Sequence, residues 1–216
     1  MKIRILLDNE NLKDFERSWA FSCLIEKDNK MFLFDTGDGN KTLNNLRLFD
    51  LGPKDIDYII LSHPHFDHTG GLHFFLEANK DIKICIPFFF PHSFFNELNY
   101  SNVIEIFEFQ EIEKRVYVDI AGLNYMEQFL MIETKKGILI ITGCAHPGLI
   151  PIIEKCKANF ENIYGIIGGF HGFRDLDYLN SLSLIIPCHC TTYKDQILTK
   201  YPQKAKKCAS GCIFEF

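Results

Sequence analysis

The chain has 216 residues, 47% hydrophobic and 24% charged, with a formal net charge of −5. That length and mix suit a folded domain with its own core and exclude a disordered chain. The mild negative charge, with Lys204-Ala205-Lys206-Lys207 as the densest basic run, leaves no footprint for a nucleic-acid partner. The opening segment reaches Asp8 before an apolar run long enough for a secretory leader, and no stretch approaches the roughly 20 apolar residues of a membrane span. Phe88-Phe89-Phe90 is apolar but bracketed by Pro87 and Pro91. The expectation is a cytoplasmic protein with no membrane partner. Its eight cysteines are then expected to be reduced and mostly small buried residues.

In chain order, Ile3, Ile5 and Leu7 alternate as in a strand. Residues 20–26 and 31–35 read as a strand pair joined by Lys27-Asp28-Asn29-Lys30, which has the composition of a hairpin turn. Leu43, Leu46 and Leu48 place a helix over 40–49, ended by Leu51-Gly52-Pro53, and 57–61 is a short buried strand. Residues 81–120 give no clear period. Beyond them, 128–133 and 137–141 read as strands, 150–157 as a helix, 163–167 as a strand and 175–182 as a helix. Residues 184–187 are a further strand, 192–200 a last helix and 212–216 an edge strand. Strands with interspersed helices, without tandem repeat or linker, predict one layered α/β domain over residues 1–216.

The chemistry concentrates in Ser62-His63-Pro64-His65-Phe66-Asp67-His68-Thr69-Gly70-Gly71. It follows a buried strand, at the end where α/β folds place their sites. Three histidines and an aspartate fall within six residues, and imidazole nitrogen with carboxylate oxygen is the donor set of Zn2+, Fe2+ or Mn2+. The alternative, a solvated loop with incidental histidines, does not explain such crowding. Gly70-Gly71 suits a turn opening into a helix. His73 reads as a helix residue, and His92 as surface or the mouth of a site.

This segment resembles the H-x-H-x-D-H motif of the metallo-β-lactamase superfamily. Phe34-Asp35-Thr36-Gly37, Thr142-Gly143-Cys144-Ala145-His146-Pro147-Gly148 and Pro187-Cys188-His189-Cys190 resemble that superfamily's other motifs, in the same order. Together with Leu7-Asp8-Asn9 and Gly168-Gly169-Phe170-His171, these strings look like the subfamily labelled 7,8-dihydropterin-6-methyl-4-(β-D-ribofuranosyl)aminobenzene-5′-phosphate synthase. The resemblance implies an αββα four-layer sandwich and one or two metal ions, zinc first, with Mn2+, Fe2+ or Mg2+ as alternatives. By position, His63, His65 and His146 would hold one ion, and Asp67, His68 and His189 the other. Asp35 either orients a ligand histidine by accepting its ring N–H or merely shapes a turn. The superfamily's bridging aspartate has no counterpart: its place reads Ile166-Ile167-Gly168-Gly169-Phe170-His171, and no carboxylate follows until Asp175. His171 there would serve at a metal, bind substrate, or be an exposed loop residue.

Three functions stay open. A hydrolase would use a metal-activated hydroxide, with Asp67 also orienting the nucleophile, on a small-molecule ester, lactone, thioester or phosphodiester. A transferase of the named subfamily would release diphosphate from a dihydropterin; aromatic residues 88–95 would have to form a flat pocket for it, whereas phenylalanines are more often core. A non-catalytic metal-binding sensor is the third. Cys188, Cys190, Cys208 and Cys212 have the spacing of a structural zinc site, but His189 between the first two is wanted elsewhere. Cys188 or Cys190 tuning the metal centre is the preferred reading.

Overall fold

Strands β1 (Lys2–Leu7), β2 (Ser22–Lys27) and β3 (Lys30–Phe34) form an antiparallel meander at the start of the chain. The β2–β3 turn places Asp28 and Asn29 at φ 49° and 62°, as the tight primed turn of a hairpin requires. The architecture is that of a computed structural model describing residues 1–98 and 102–216. Two compact units divide it: Met1–Phe107 with Ala209–Phe216, and Glu108–Cys208.

In the first unit the chain turns parallel after β3, through β4 (Tyr58–Ile60), β5 (Lys83–Pro87) and β6 (Val103–Ile106). The C-terminal strand Ile213–Glu215 adds to β1, at the edge of a seven-stranded sheet. Helices α1 (Lys41–Arg47), α2 (Phe66–Thr69), α3 (Leu72–Ala78) and α4 (His92–Leu98) fill the connections. Leu43 and Leu46 of α1 and Leu72, Phe75 and Leu76 of α3 pack with Leu6, Leu24, Leu33, Ile59 and Ile84. The alternate strand residues Ile3, Ile5, Ile25, Phe32 and Phe34 are also fully buried, so these strands are covered on both faces, and alternation gives way to continuous apolar runs.

The second unit runs antiparallel from β7 (Gln110–Glu113) through β8 (Val116–Ala121) and β9 (Glu127–Thr134) to β10 (Gly137–Thr142). It then runs parallel through β11 (Ile163–Gly169) and β12 (Leu184–Cys188). Helix α5 (Leu149–Asn159) makes the first crossover and buries Leu149, Ile152, Ile153 and Cys156, one face at helical spacing. The second crossover, expected as an α-helix, is a 3-10 segment, Leu176–Ser181. Helix α6 (Lys194–Lys200) follows β12 and buries Ile197. Phe90 is buried, and Phe89, Phe94 and Phe95 pack partly buried against the first unit's core, while Phe88 is exposed. Among the described residues no helix is long and apolar enough to cross a membrane.

Buried thiols give the fold an alkaline limit. Burial pushes Cys85 and Cys156 up to about 12. The folded state therefore keeps protons that the unfolded chain releases from about pH 8.5 upward. Stability is fully present below that pH and falls as pH rises towards 12, by up to about 1.4 kcal/mol per pH unit for each thiol. Denaturant midpoints between pH 8 and 10.5 should drop with this slope, and Cys85→Ala should flatten it.

Candidate metal-binding residues

Within each unit the candidate side chains follow the C-terminal ends of parallel strands, where a sheet leaves room for a site. In the first unit Asp35 directly follows β3, and Ser62 and His63 lie just past β4. The Asp35 turn is stitched to the histidine loop: Thr36 N–H donates to His68 O at 2.7 Å, and Gly71 N–H donates to Gly37 O at 3.1 Å. A Cβ on Gly71 would come within 2.2 Å of Thr36 O, so only glycine lets these segments meet. His65 caps the single turn of α2, which then carries Asp67 and His68.

Asp35 organises this half. It is fully buried, at φ 54°, a region aspartate tolerates better than most residues. Its Oδ1 accepts the Ser62 N–H at 2.7 Å, and its Oδ2 accepts the Ser62 hydroxyl at 2.7 Å and faces His68 Nδ1 at 2.7 Å. The Ser62 hydroxyl has one proton and gives it to the carboxylate, so it must accept from His63 Nδ1, 2.8 Å away. Both imidazoles are thereby fixed as Nδ1–H tautomers, which leaves each Nε2 with a lone pair. This is the orienting role that the aspartate motif implied for Asp35, and Ser62 extends it to His63.

The lone pairs converge in two groups. His63 Nε2 faces His65 Nδ1 at 3.1 Å, a spacing at which two ring nitrogens must share a proton or a cation. His68 Nε2 lies 3.7 Å from Asp67 Oδ2. His63 and His68 are buried, Asp67 is half-buried and His65 is exposed. His73 is exposed on α3, and His92 is exposed on α4.

In the second unit, three neighbouring parallel strands each end in a candidate loop. Cys144 and His146 follow β10, His171 follows β11, and His189 and Cys190 follow β12. Gly168, at φ 129°, lets β11 press on β10, since a Cβ there would lie 2.0 Å from Thr142 O. Ala145, His171 and His189 all take positive φ, 56°, 43° and 45°, a strained geometry that clusters at functional loops. His146 is half-buried, His189 is 3% exposed, and His171 is exposed with its ring centroid 5.1 Å from that of His146.

Sequence reading missed the residue that organises this half, Glu127. Its side chain is fully buried at the start of β9. Oε1 accepts the N–H groups of Gly143, Cys144 and Ala145 at 3.0, 2.8 and 2.8 Å. Oε2 accepts the N–H of His146 at 3.0 Å and faces its Nδ1, also at 3.0 Å. Each of these five groups can donate, which suits an acceptor-only carboxylate and makes Nε2 the unprotonated nitrogen of His146. The only sequence signal is a carboxylate two residues ahead of the apolar run Phe129 to Ile132, 19 residues before His146.

The cysteines depart from expectation. Cys188 and Cys208 form a disulfide, so not all eight are thiols. The pair closes the base of the segment that carries His189 and α6. It also removes two of the four sulfurs of the conceivable structural zinc site and rules out Cys188 as a thiolate at the metal centre. Cys190 stays a free thiol.

The donors fit a divalent ion: imidazole nitrogens and carboxylate oxygen, with His63, His68 and His146 held by an outer hydroxyl or carboxylate, are the usual construction of a zinc-type site. The profile described as Metallo-beta-lactamase superfamily matches residues 20–183. An uncharacterized protein of Methanocaldococcus jannaschii is 33% identical, with 93% of this chain and 94% of the relative covered. The 7,8-dihydropterin-6-methyl-4-(beta-D-ribofuranosyl)-aminobenzene-5′-phosphate synthase of the same organism is 30% identical, with 87% and 85% covered. The crystal structure of Tm1679, described as a metal-dependent hydrolase of the beta-lactamase superfamily, superposes with a TM-score of 0.82 at 25% identity, over 100% of this chain and 99% of that one. On profile, relatives and a mixed α/β architecture of two helix-flanked sheets, the chain belongs to the metallo-β-lactamase superfamily.

Proposed function

We propose that the protein is a metal-dependent hydrolase of a small ester, lactone, thioester or phosphodiester, with His63, His65, Asp67, His68, His146 and His189 as its metal ligands. One observation carries this reading. The chain commits two fully buried carboxylates, Asp35 and Glu127, to holding imidazoles by Nδ1–H, so that Nε2 is the unprotonated nitrogen. Buried charge is costly, and orienting ligands is a use that accounts for its placement. When bound, the metal supplies Lewis acidity and a nucleophile at neutral pH. Asp67, on the single turn of α2, would hold an ion and orient the nucleophile it would supply. His171, exposed beside His146, lies where it can donate to a leaving group or contact substrate. Leu123 and Tyr125, 93% and 74% exposed, border an open concavity of about 500 Å³ whose wall includes His146. They offer an apolar surface for the non-reacting part of a substrate.

The likeness to a synthase over most of both chains favours a second reading, transfer onto a dihydropterin methylene carbon with release of diphosphate. The same ligands would serve it. The discriminating experiment is turnover by metal-reconstituted protein of a lactone, ester, thioester and phosphodiester panel, against diphosphate release from a dihydropterin diphosphate with an aromatic amine acceptor. Hydrolysis that needs added metal is the expected result; diphosphate release alone would replace the first reading with the second.

Glu127→Gln tests the supporting carboxylate. The amide NH2 would face two donors of His146 or, flipped, the three N–H groups that Oε1 now accepts. We expect metal affinity to fall by about 10–100-fold, read by chelator competition. Unchanged affinity would show that His146 is not a ligand or needs no orientation.

A further inference from the structure

The second unit contains a ligand group that the family pattern does not assign. The Sγ atoms of Cys144 and Cys190 and a ring nitrogen of His189 all lie within 4.8 Å of one another. Each is placed by the fold rather than by chance of a mobile side chain. Cys144 is 4% exposed, and its peptide N–H is held by Glu127 at 2.8 Å. Cys190 Sγ packs against Gly169, where a Cβ would approach the sulfur to 2.8 Å, and lies 3.8 Å from Cys144 O. Residue 169 therefore has to be glycine for the two sulfur-bearing loops to meet over the end of β11. His189, with its left-handed backbone, turns its ring inward between Cys188 and Cys190.

The charge balance gives this group a purpose. Two divalent ions at the ~3.5–4 Å spacing of a two-metal site repel strongly unless anionic donors lie between or beside them. The strand that should end in a bridging carboxylate ends here in Gly168-Gly169-Phe170-His171, and the next acid, Asp175, is exposed. Glu127 already accepts five hydrogen-bond contacts. Cys188 is tied up in its disulfide. Among the described residues of the second unit, the donors grouped with His189 that can carry negative charge are the two thiols, since a bound cation favours the thiolate form of a ligating cysteine.

We propose that Cys144, Cys190 and His189 form a thiolate-bearing metal position, which takes Zn2+, Co2+ or Cd2+ in preference to Mg2+ or Ca2+. Two sulfurs and an imidazole are a soft to borderline donor set, poorly matched to hard oxygen-seeking ions. The inference deepens the proposed function, since His189 is common to both, and it supplies the negative charge that the missing carboxylate does not.

The test is titration of metal-free protein with Co2+ under argon and mild reductant, followed by absorption and metal analysis. Thiolate ligation produces a near-ultraviolet sulfur-to-cobalt charge-transfer band. The band should saturate, resist excess Mg2+, weaken in Cys144→Ser and in Cys190→Ser, and vanish in the double variant. Affinity for the ion should fall in Cys190→Ser by more than the about 10–100-fold typical of losing an outer hydrogen-bond partner. Because the three donors belong to the second unit, the band should survive His63→Ala. Bound cobalt without the band, or a band persisting in the double variant, overturns the thiolate position and leaves the hydrolase reading standing. No cobalt bound at all overturns both. Cys190→Ser, at a half-buried position, keeps the test decisive if Cys144→Ser does not fold.

Discussion

Asp67→Ala is expected to lower turnover by about 10²–10⁴-fold, the range for removing a group that handles a proton in the transition state, on whichever substrate the wild type hydrolyses. The fold should survive. Asp67 contributes its backbone to the structure, its carbonyl accepting the Phe21 N–H at 3.2 Å, while its carboxylate is half-buried, with Oδ2 3.7 Å from His68 Nε2. The substitution therefore empties a role without opening a core cavity. His63→Ala should likewise abolish metal-dependent turnover, with loss of bound metal. It leaves the Ser62 hydroxyl bonded to Asp35, so no buried donor is stranded. Circular dichroism and thermal melts check the fold, and metal analysis with kinetics checks the roles. Near-wild-type turnover by well-folded Asp67→Ala would sink its assignment.

How far the site was legible follows from how local its chemistry is. The loop from His63 to His68 puts four donors within six residues, so spacing alone exposes it. Asp35 was legible only through its motif, and its alternative as a turn residue is also true: it holds a left-handed φ while it binds His68. Ser62 was not read as functional because its part depends on a single hydroxyl proton, which only geometry can allocate. Glu127 lies far from any motif in sequence, and its work is done on backbone N–H groups that carry no side-chain signature. The Cys188–Cys208 disulfide was missed because compartment was used to argue for reduced thiols, whereas the fold brings β12 back beside the segment after α6. In the fold, strands with alternation or long apolar runs were placed correctly. The stretch 81–120 hides β5, α4, β6, β7 and most of β8 because its apolar residues are split by prolines and its strands are short.

Asp35 separates orientation from stability in one pair of variants. In Asp35→Ala the Ser62 N–H, the Ser62 O–H and the His68 Nδ1–H all lose their acceptor in a fully buried place. At about 1–3 kcal/mol for each stranded donor, the loss should exceed about 3 kcal/mol, which for a chain of this size lowers Tm by roughly 6–12 °C. Asp35→Asn should keep most of that stability. Asparagine tolerates the left-handed backbone, and its carbonyl can still accept the Ser62 N–H. Its NH2, however, donates where a carboxylate oxygen accepted. It would donate to His68 Nδ1 and turn that ring into the Nε2–H tautomer. The Ser62 hydroxyl, no longer giving its proton to residue 35, would give it to His63 Nδ1 and reverse that ring as well. Both buried imidazoles would then present a proton where a metal needs a lone pair. Asp35→Asn should therefore fold, melt near the wild type and bind metal at least about 10–100-fold more weakly, by chelator competition. Wild-type metal affinity in Asp35→Asn would remove the link between tautomer and ligation, and equal melting of the two variants would show that the buried donors find another acceptor.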